Sequence, residues 1–429
     1  MPGSRIGLNK RVATSLIFLI LFGLLIVQPG FLTPQSRGEP RPKGPSDVRL
    51  VSPNPNSSAK LWPFTSRQER YDSLTLPINV VVEGDSSRVV NELKHRRDAQ
   101  WNNDSNEWQG VANDEGTASV GKRTVEWHNT TGAVRYTYIQ APGSRGGWTT
   151  ETAQLHDGAY FGSRYHLRLY EGGKGTGTWT AIQAHHEYFD WFRLRHTVGS
   201  LEKAQYYLDG QYYGKWYVDG VSRQRYANGG IIDSNGWVSI VDLRPKSEMG
   251  PVPAALMAVI LLGSVDMKGT VVDSIRTLVS RLERKTVQRG IAFSVSLFGL
   301  PLFVRTASIA VETAVPSVPI KAIAGAGYLV LAFGLPLAAI SLPSGRQSTD
   351  WFAIAILALG LGFLLDYRSI GVNVLPITVV VHRLAVLCIV GVLAVGGSCQ
   401  ETDGRWNTLV QAGLVMWVGV LVWPLLDAV

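Results

Sequence analysis

Cysteine is almost missing from this chain of 429 residues. The two cysteines, Cys388 and Cys399, lie in or just after an apolar segment late in the sequence. They cannot form a disulfide framework for the polar middle of the chain, and no cysteine is available there to complete a zinc site. The sequence therefore excludes a disulfide-stabilised scaffold and a cysteine-based zinc module.

Charged residues are also few, at 17% of the chain against 45% hydrophobic residues, and they concentrate in the middle. The net charge of +8 could indicate a nucleic-acid partner, but much of the basic excess flanks apolar runs. Lysine and arginine at such positions orient transmembrane helices rather than bind phosphates. We therefore expect a membrane protein whose partner is the lipid bilayer, with no nucleic acid.

Common catalytic signatures are missing too. The chain contains no HExxH sequence, and the glycine-rich run EGGKGTG at residues 171–177 lacks the spacing of a P-loop. We interpret that run as a hairpin loop between two strands. From these patterns we expect no cofactor and no bound metal.

Long apolar runs are present near both ends of the chain. Residues 12–27 form one such run behind three basic residues, so we interpret residues 1–32 as a retained membrane anchor with a cytoplasmic N-terminus. Residues 249–429 predict an all-α transmembrane bundle of six helices, which gives about seven transmembrane helices in total. The six spans of the bundle are expected at residues 251–265, 291–311, 322–342, 351–365, 377–396 and 409–426.

A basic amphipathic helix is expected at residues 267–289, where apolar residues recur at helical spacing among basic ones. Such a helix lies on the anionic cytoplasmic leaflet. The side chains expected to contact anionic lipid are Lys268, Arg276, Arg281, Arg284, Lys285 and Arg289. Because this helix and the N-terminus are both cytoplasmic, residues 33–248 are expected on the extracytoplasmic side of the cell membrane.

The exported part divides by composition into a tether and a domain. Residues 33–60 are rich in proline, serine and glycine, which is typical of an extended, poorly ordered tether. Residues 61–248 carry short alternating runs and predict an α+β domain, with helices that begin after Asp85 and Ser200. Strands are expected at residues 76–82, 124–128, 134–140, 164–170, 179–185, 212–218 and 237–243.

Titratable and aromatic side chains are densest at residues 156–208. If the run at 187–196 is helical, His186, Asp190 and Arg193 share a face. The region could be a hydrogen-bond network that fixes aromatic packing, a groove for an anionic or sugar-like ligand, or a metal or hydrolytic site. The candidate ligand-binding residues are Arg164, His166, Arg168, His185, His186, Glu187, Asp190, Arg193, Arg195 and His196.

Part of this region resembles the LssY C-terminal domain family. The resemblance rests on LPINV at residues 76–80, YFGSRYHLR at residues 160–168 and Arg195-His196, and it covers about residues 74–208. It implies a small α/β domain with an RxHxR-type strand, attached to a membrane protein, and it implies no particular reaction. Some bacterial members accompany phosphatidic-acid-phosphatase-type enzymes, but the PSGH signature of those enzymes is replaced here by PSGR at residues 343–346.

Ionisable residues also occur within the predicted spans: Arg305, Glu312, Asp366, His382 and Arg383. A charge near the centre of a bilayer costs at least ~2.5 kcal/mol, so these groups are expected to pair with one another. We favour a structural layer of ion pairs over a proton pathway or a lipid-headgroup site.

Three function hypotheses follow. In the leading one, the exported domain binds a ligand or partner at the cell surface and the bundle anchors or relays it, without enzymatic activity. The first alternative is a membrane-bound hydrolase that acts on an anionic lipid or glycan with His166, His185, His186, Glu187 and Asp190. The second is a proton- or ion-coupled transporter that uses Arg305, Asp366, His382 and Arg383.

Overall fold

Two antiparallel-rich sheets build the polar part of the chain. The computed structural model describes residues 49–68, 70–94, 134–173, 177–243, 285–344, 348–372, 375–399 and 407–426. The strands are β1 (Lys60–Leu61), β2 (Phe64–Ser66), β3 (Leu74–Pro77), β4 (Val80–Glu83), β5 (Tyr136–Gln140), β6 (Gly147–Thr150), β7 (Ala153–Gly158), β8 (Ser163–Gly172), β9 (Trp179–Asp190), β10 (Arg195–Ser200), β11 (Val218–Arg225) and β12 (Trp237–Leu243). Two helices accompany them, α1 (Ser86–Lys94) and α2 (Glu202–Tyr212).

The larger sheet has seven strands in the order β11-β12-β4-β9-β8-β7, with β10 beside β9. All the pairs along this order are antiparallel except β4 with β12, which run parallel. The longest ladder joins β8 to β9 from Ser163 opposite Tyr188 to Gly172 opposite Trp179. The glycine-rich run therefore connects two antiparallel neighbours, as expected of a hairpin loop.

The smaller sheet has the order β1-β5-β2-β3, with β6 beside β5. Val51 pairs with Leu61 in an isolated bridge, and Asn54 and Ala59 are buried. The predicted tether therefore ends too late in the sequence, because residues from Val51 onward already contribute to the folded domain. Composition did not predict this pairing, because a segment without regularly spaced apolar residues can still pair with a strand through its backbone hydrogen bonds.

Alternation along β4 and β9 gives the larger sheet two buried faces. Val80 and Val82 point toward the core that α1 and α2 cover, whereas Val81 points toward the core shared with the smaller sheet. Ile182 and Ala181 divide in the same way on β9. A strand buried on both faces has a continuous run of apolar residues, as Val80 to Val82 of β4 do.

Three expectations about these elements are wrong. The run at 76–82 is two strands, because β3 joins the smaller sheet and β4 joins the larger one. The run at 187–196 is not helical, since β9 continues to Asp190 and a turn with Leu194 at a φ of 49° leads into β10. Tyr212 ends α2 instead of beginning a strand. The strand expected at residues 124–128 lies outside the described residues.

Five further helices follow: α3 (Lys285–Ala314), α4 (Ile320–Ser341), α5 (Ser348–Ser369), α6 (Ile377–Ser398) and α7 (Thr408–Leu426). Among the described residues, these five are long and apolar enough to cross a membrane, and they coincide with the last five predicted spans. The seven helices expected in total are not shown, because residues 1–32 and 251–265 lie outside the described ranges. Most of the predicted amphipathic helix also lies outside them, and its last residues, Lys285 to Arg289, belong to α3.

The chain divides into two compact units. Residues Phe189–His196, which comprise the end of β9, the turn after it and the start of β10, belong with the helices α3 to α7. We call them the hairpin segment. The remaining described residues from Arg49 to Leu243 form the other unit, which we call the sheet domain.

The N-terminus of α2 is capped by two side chains. Ser200 Oγ accepts a hydrogen bond from the Lys203 amide at 2.9 Å, as the sequence predicted. Asp233 accepts one from the Leu201 amide at 2.6 Å and also bonds to the Ser200 hydroxyl. A carboxylate at this end of a helix also interacts favourably with the helix dipole.

We predict that Asp233→Ala lowers the free energy of unfolding by about 1–2 kcal/mol, the usual cost of a lost cap. Thermal unfolding of the full chain in detergent measures the change. Asp219→Ala removes an exposed aspartate of the neighbouring region and serves as the control. Equal melting temperatures for the two variants would contradict the assigned role of Asp233.

Candidate functional site

Three histidines lie side by side across the larger sheet. His156 on β7 is opposite His166 on β8, which is opposite His185 on β9. The ring centroids are 4.1 Å apart for the first pair and 4.7 Å apart for the second, and all three side chains are buried. We call these residues the histidine row. Strand pairing assembles it, since each strand contributes one histidine.

Glu187 supplies the negative charge of the row. It lies two residues after His185 and therefore on the same face of β9. Its Oε1 accepts a hydrogen bond from Arg164 Nε at 2.7 Å and lies 3.7 Å from His166 Nδ1. Its Oε2 lies 3.0 Å from His185 Nε2. The Arg164–Glu187 pair is buried on both sides, so each charge depends on the other for stabilisation.

Glutamine side chains fix the hydrogen-bonding roles of two histidines. Gln183 Nε2 donates to His185 Nδ1 at 2.9 Å, which leaves the Nε2 proton of His185 for Glu187. Gln154 Nε2 donates to Glu151 at 2.7 Å, so its Oε1 accepts the Nε2 proton of His166 at 3.1 Å. The Nδ1 lone pair of His166 then faces Glu187.

Burial lowers the pKa of His166 and of His185, and the neighbouring His156 lowers that of His166 further. Both imidazoles are therefore neutral at neutral pH, which agrees with the hydrogen bonds assigned to them. A neutral imidazole is also the form that binds metal ions.

His186 is separated from the row although it follows His185 directly. Side chains alternate along a strand, so His186 points to the opposite face of β9. Its ring lies 5.1 Å from Tyr165, and Lys203 Nζ lies 3.4 Å from its Nε2. Burial, assisted by the charge of Lys203, lowers the pKa of His186 to about 4. The sequence predicted both histidines in one candidate site, but they lie on opposite faces of β9.

Arg168 lies on the same strand as Arg164 and His166 and pairs with Glu151 at 3.0 Å. Glu151, Gln154, His156 and Gln183 were not among the candidate residues. Gln154 and His156 occupy alternate positions of β7, which was not among the predicted strands. Their closeness to β8 and β9 comes from the pairing of strands.

A second group of polar side chains holds the hairpin segment among the helices. Asp190 Oδ1 accepts a hydrogen bond from Arg383 Nη2 on α6 at 2.5 Å, and both side chains are buried. Arg305 on α3 forms two hydrogen bonds to Asp366 on α5, at 2.9 and 2.7 Å. The remaining Nη1 of Arg305 donates to the Phe189 carbonyl at 2.8 Å. We call Asp190, Arg305, Asp366 and Arg383 the charge cluster.

The charge cluster extends through two more helical side chains. Arg383 Nε donates to the Tyr367 hydroxyl at 2.9 Å, and its Nη1 lies 2.8 Å from His382 Nδ1. His382 Nε2 donates to the Val420 carbonyl on α7 at 2.8 Å. Burial would raise the pKa of Asp190, but the Arg383 guanidinium outweighs that effect and holds the pKa below its usual value.

Aromatic side chains of the hairpin segment pack around these charges. Phe192 lies 5.5 Å from His382 and 6.0 Å from Phe363, and the Arg383 guanidinium lies 4.3 Å from its ring centre. Trp191 lies against Gly327 of α4, where an added Cβ would come within 2.6 Å of the indole. Gly327 thus makes room for a side chain of the hairpin segment.

The other predicted residues lie around these two groups. Arg193 donates to the Thr378 hydroxyl on α6 at 2.8 Å, and Arg195 is partly exposed on β10. His196 meets Phe189 edge-on with ring centroids 5.6 Å apart. Glu312 is partly buried near the end of α3 and is not a member of the charge cluster. Arg305 and Asp366 pair as expected, and Asp190 is the unexpected partner of Arg383.

Comparison with known protein families, curated proteins and solved structures finds no match for the chain. The functional interpretation therefore depends on the two groups of side chains described above. Of these, the row offers metal-ligand atoms in one place, on His156, His166 and Glu187.

We predict that Glu187→Ala lowers the free energy of unfolding by about 3–5 kcal/mol, because Arg164 is then buried without its partner. Chemical unfolding of the full chain in detergent measures the change. Glu202→Ala, which removes a glutamate near the surface of α2, is the control and should change stability by less than about 1 kcal/mol.

The double variant Arg164→Met/Glu187→Ala should be less destabilised than the sum of its single variants, since it leaves neither charge uncompensated. Additive effects of the two substitutions would contradict the pairing of Arg164 with Glu187.

Proposed function

We propose that this chain is a multi-pass membrane protein in which an extracytoplasmic sheet domain binds a ligand or partner and is coupled to the transmembrane helices by the hairpin segment. The observation that carries the proposal is the buried Asp190–Arg383 pair. It joins the end of β9 to α6 across 193 residues of sequence. The five apolar helices support the membrane location.

The charge cluster makes withdrawal of the hairpin segment costly. If the segment left the helices, Arg383 would lose Asp190 and Arg305 would lose the Phe189 carbonyl. A buried ion pair that loses one partner costs about 3–5 kcal/mol, since the remaining charge has no compensation. The end of β9 is therefore held to the helices by an ion pair and a hydrogen bond whose loss is costly.

The same strand carries part of the histidine row. His185 and Glu187 precede Asp190 by five and three residues on β9. A ligand that altered the position of His185 or Glu187 would act on a strand whose far end is fixed by Arg383. This continuity supports a relay between the sheet domain and the helices, and it fits the leading sequence hypothesis.

The membrane topology completes the proposal. It includes the two further spans that the sequence predicts at residues 1–32 and 251–265, which would bring the total to seven, with the N-terminus in the cytoplasm and residues 33–248 outside. Basic residues of the amphipathic stretch 267–289 contact anionic lipid of the inner leaflet. The resemblance to the LssY C-terminal domain family agrees with a small domain attached to a membrane protein.

The two alternative functions have weaker geometric support. The set suggested for a hydrolase is divided, since His186 lies on the opposite face of β9 and Asp190 pairs with Arg383. The set suggested for a transporter is engaged in ion pairs and hydrogen bonds: Arg305 with Asp366, and Arg383 with Asp190 and His382. A charge held in this way is a structural element of the bundle rather than a mobile carrier.

The coupling is tested by Arg383→Met in the full chain. We expect stability to fall by about 3–5 kcal/mol, because buried Asp190 loses its hydrogen-bonded guanidinium and keeps only the more distant Arg193, at 3.8 Å. Hydrogen exchange followed by mass spectrometry should show faster exchange of the amides at the end of β9. Arg195→Met removes a partly exposed arginine of the hairpin segment that is not a member of the charge cluster, and it serves as the control.

An Arg383→Met protein with slower or unchanged exchange in β9 would overturn the coupling. The double variant Asp190→Ala/Arg383→Met should be closer to the wild-type stability than the sum of the single variants indicates. Such a cycle isolates the contribution of the pair from the loss of either side chain alone.

The topology is tested by cysteine labelling in intact cells. In a Cys388→Ser/Cys399→Ser background, Ser144→Cys places a thiol on an exposed loop of the sheet domain, and Ser344→Cys places one between α4 and α5. We expect a membrane-impermeant maleimide to label position 144 directly and position 344 only after the membrane is permeabilised. The reverse pattern would overturn the orientation.

A further inference from the structure

Three side chains of the sheet domain bring potential metal-ligand atoms close together. One nitrogen each of His156 and His166 and one carboxylate oxygen of Glu187 all lie within 4.8 Å of one another. The distance between His166 Nδ1 and Glu187 Oε1 is 3.7 Å. Zinc–ligand bonds of about 2.0–2.2 Å at tetrahedral angles separate two ligand atoms by roughly 3.3–3.5 Å. The distance between His166 Nδ1 and Glu187 Oε1 is therefore close to that of a first coordination shell, and the three side chains would have to move closer by up to about 1 Å to hold an ion.

We propose that His156, His166 and Glu187 bind a divalent transition-metal ion of the zinc class. This proposal rests on the proposed function, since the metal ion is the class of ligand that we assign to the sheet domain. Two imidazoles and one carboxylate are ligands that zinc and ferrous iron accept, whereas magnesium and calcium prefer oxygen ligands. The ligands come from three adjacent strands, β7, β8 and β9.

The surrounding side chains orient the ligands as a second coordination shell does. Gln154 accepts the Nε2 proton of His166 and so turns the lone pair of Nδ1 toward Glu187. Arg164 and His185 bond to the Glu187 carboxylate, whose two oxygens have enough lone pairs for these bonds and for a metal. His185 already uses both ring nitrogens, with Gln183 and Glu187, which leaves it a positioning role.

A bound ion would link three neighbouring strands of the larger sheet, and one of them, β9, continues into the hairpin segment. An ion that binds the folded state and not the unfolded one raises the melting temperature. Metal occupancy therefore has a stability readout that is independent of any catalytic activity.

The test uses the full chain in detergent, produced in zinc-supplemented medium, purified without chelator and analysed by inductively coupled plasma mass spectrometry. We expect about one metal ion per chain for the wild type. His156→Gln and Glu187→Gln should reduce the metal to background, and Gln154→Ala should weaken binding by about 10–100-fold in a chelator competition. His186→Gln is the matched control and should bind as the wild type does.

A wild-type protein without stoichiometric zinc, iron or another transition metal would overturn the proposal. Retention of metal in His156→Gln would also overturn it. If the glutamine variants do not fold, the wild type alone decides the question: zinc should raise the melting temperature of chelator-treated protein and calcium should not. An equal response to both ions would contradict the site.

The metal test and the coupling test can fail separately. Arg383→Met leaves all three ligands in place and should bind metal with wild-type stoichiometry if it folds. A metal-free wild type whose β9 amides still respond to Arg383→Met would remove the metal site and keep the coupling. A metal-binding protein without that response would remove the coupling and keep the metal site.

Discussion

A buried charge in this protein needs an oppositely charged or hydrogen-bonding group beside it, because water cannot reach it. This requirement explains how the hairpin segment is held. Arg305 and Arg383 project from apolar helices where an unpaired guanidinium would be costly. Arg305 pairs with Asp366, and Arg383 pairs with Asp190 of the hairpin segment. The helices therefore need that segment for their own electrostatic balance, in addition to the aromatic packing of Trp191 and Phe192.

The sheet domain satisfies the same requirement in a different way. Its buried arginine, Arg164, pairs with Glu187, and the carboxylate also bonds to His185. Burial lowers the pKa of His166 and of His185 and keeps both neutral, so one carboxylate meets one guanidinium beside two uncharged imidazoles. Such an arrangement leaves histidine lone pairs near a negative oxygen, which suits a cation. The chemistry that stabilises the fold and the chemistry proposed for metal binding thus use the same side chains.

Each function hypothesis requires a different arrangement of these buried polar side chains. A hydrolase would need His185, His186 and Asp190 to converge on a substrate, and the alternation of β9 sends the first two to opposite faces. A transporter would need a charge free to exchange partners among the helices. A coupled binding domain needs a fixed strand end and a ligand site on the same strand, and β9 provides both through Asp190 and Glu187.

The sequence by itself determined five apolar helices, about half of the strands and the capping of α2 by Ser200, because each depends on residues close together in the chain. It also predicted that Arg305 and Asp366 would need partners. Only the tertiary structure decided that His156, His166 and Glu187 meet and that Asp190 reaches Arg383 across 193 residues. Local periodicity sets which face a side chain occupies, whereas strand register and helix packing, which involve distant parts of the chain, decide what that face contacts.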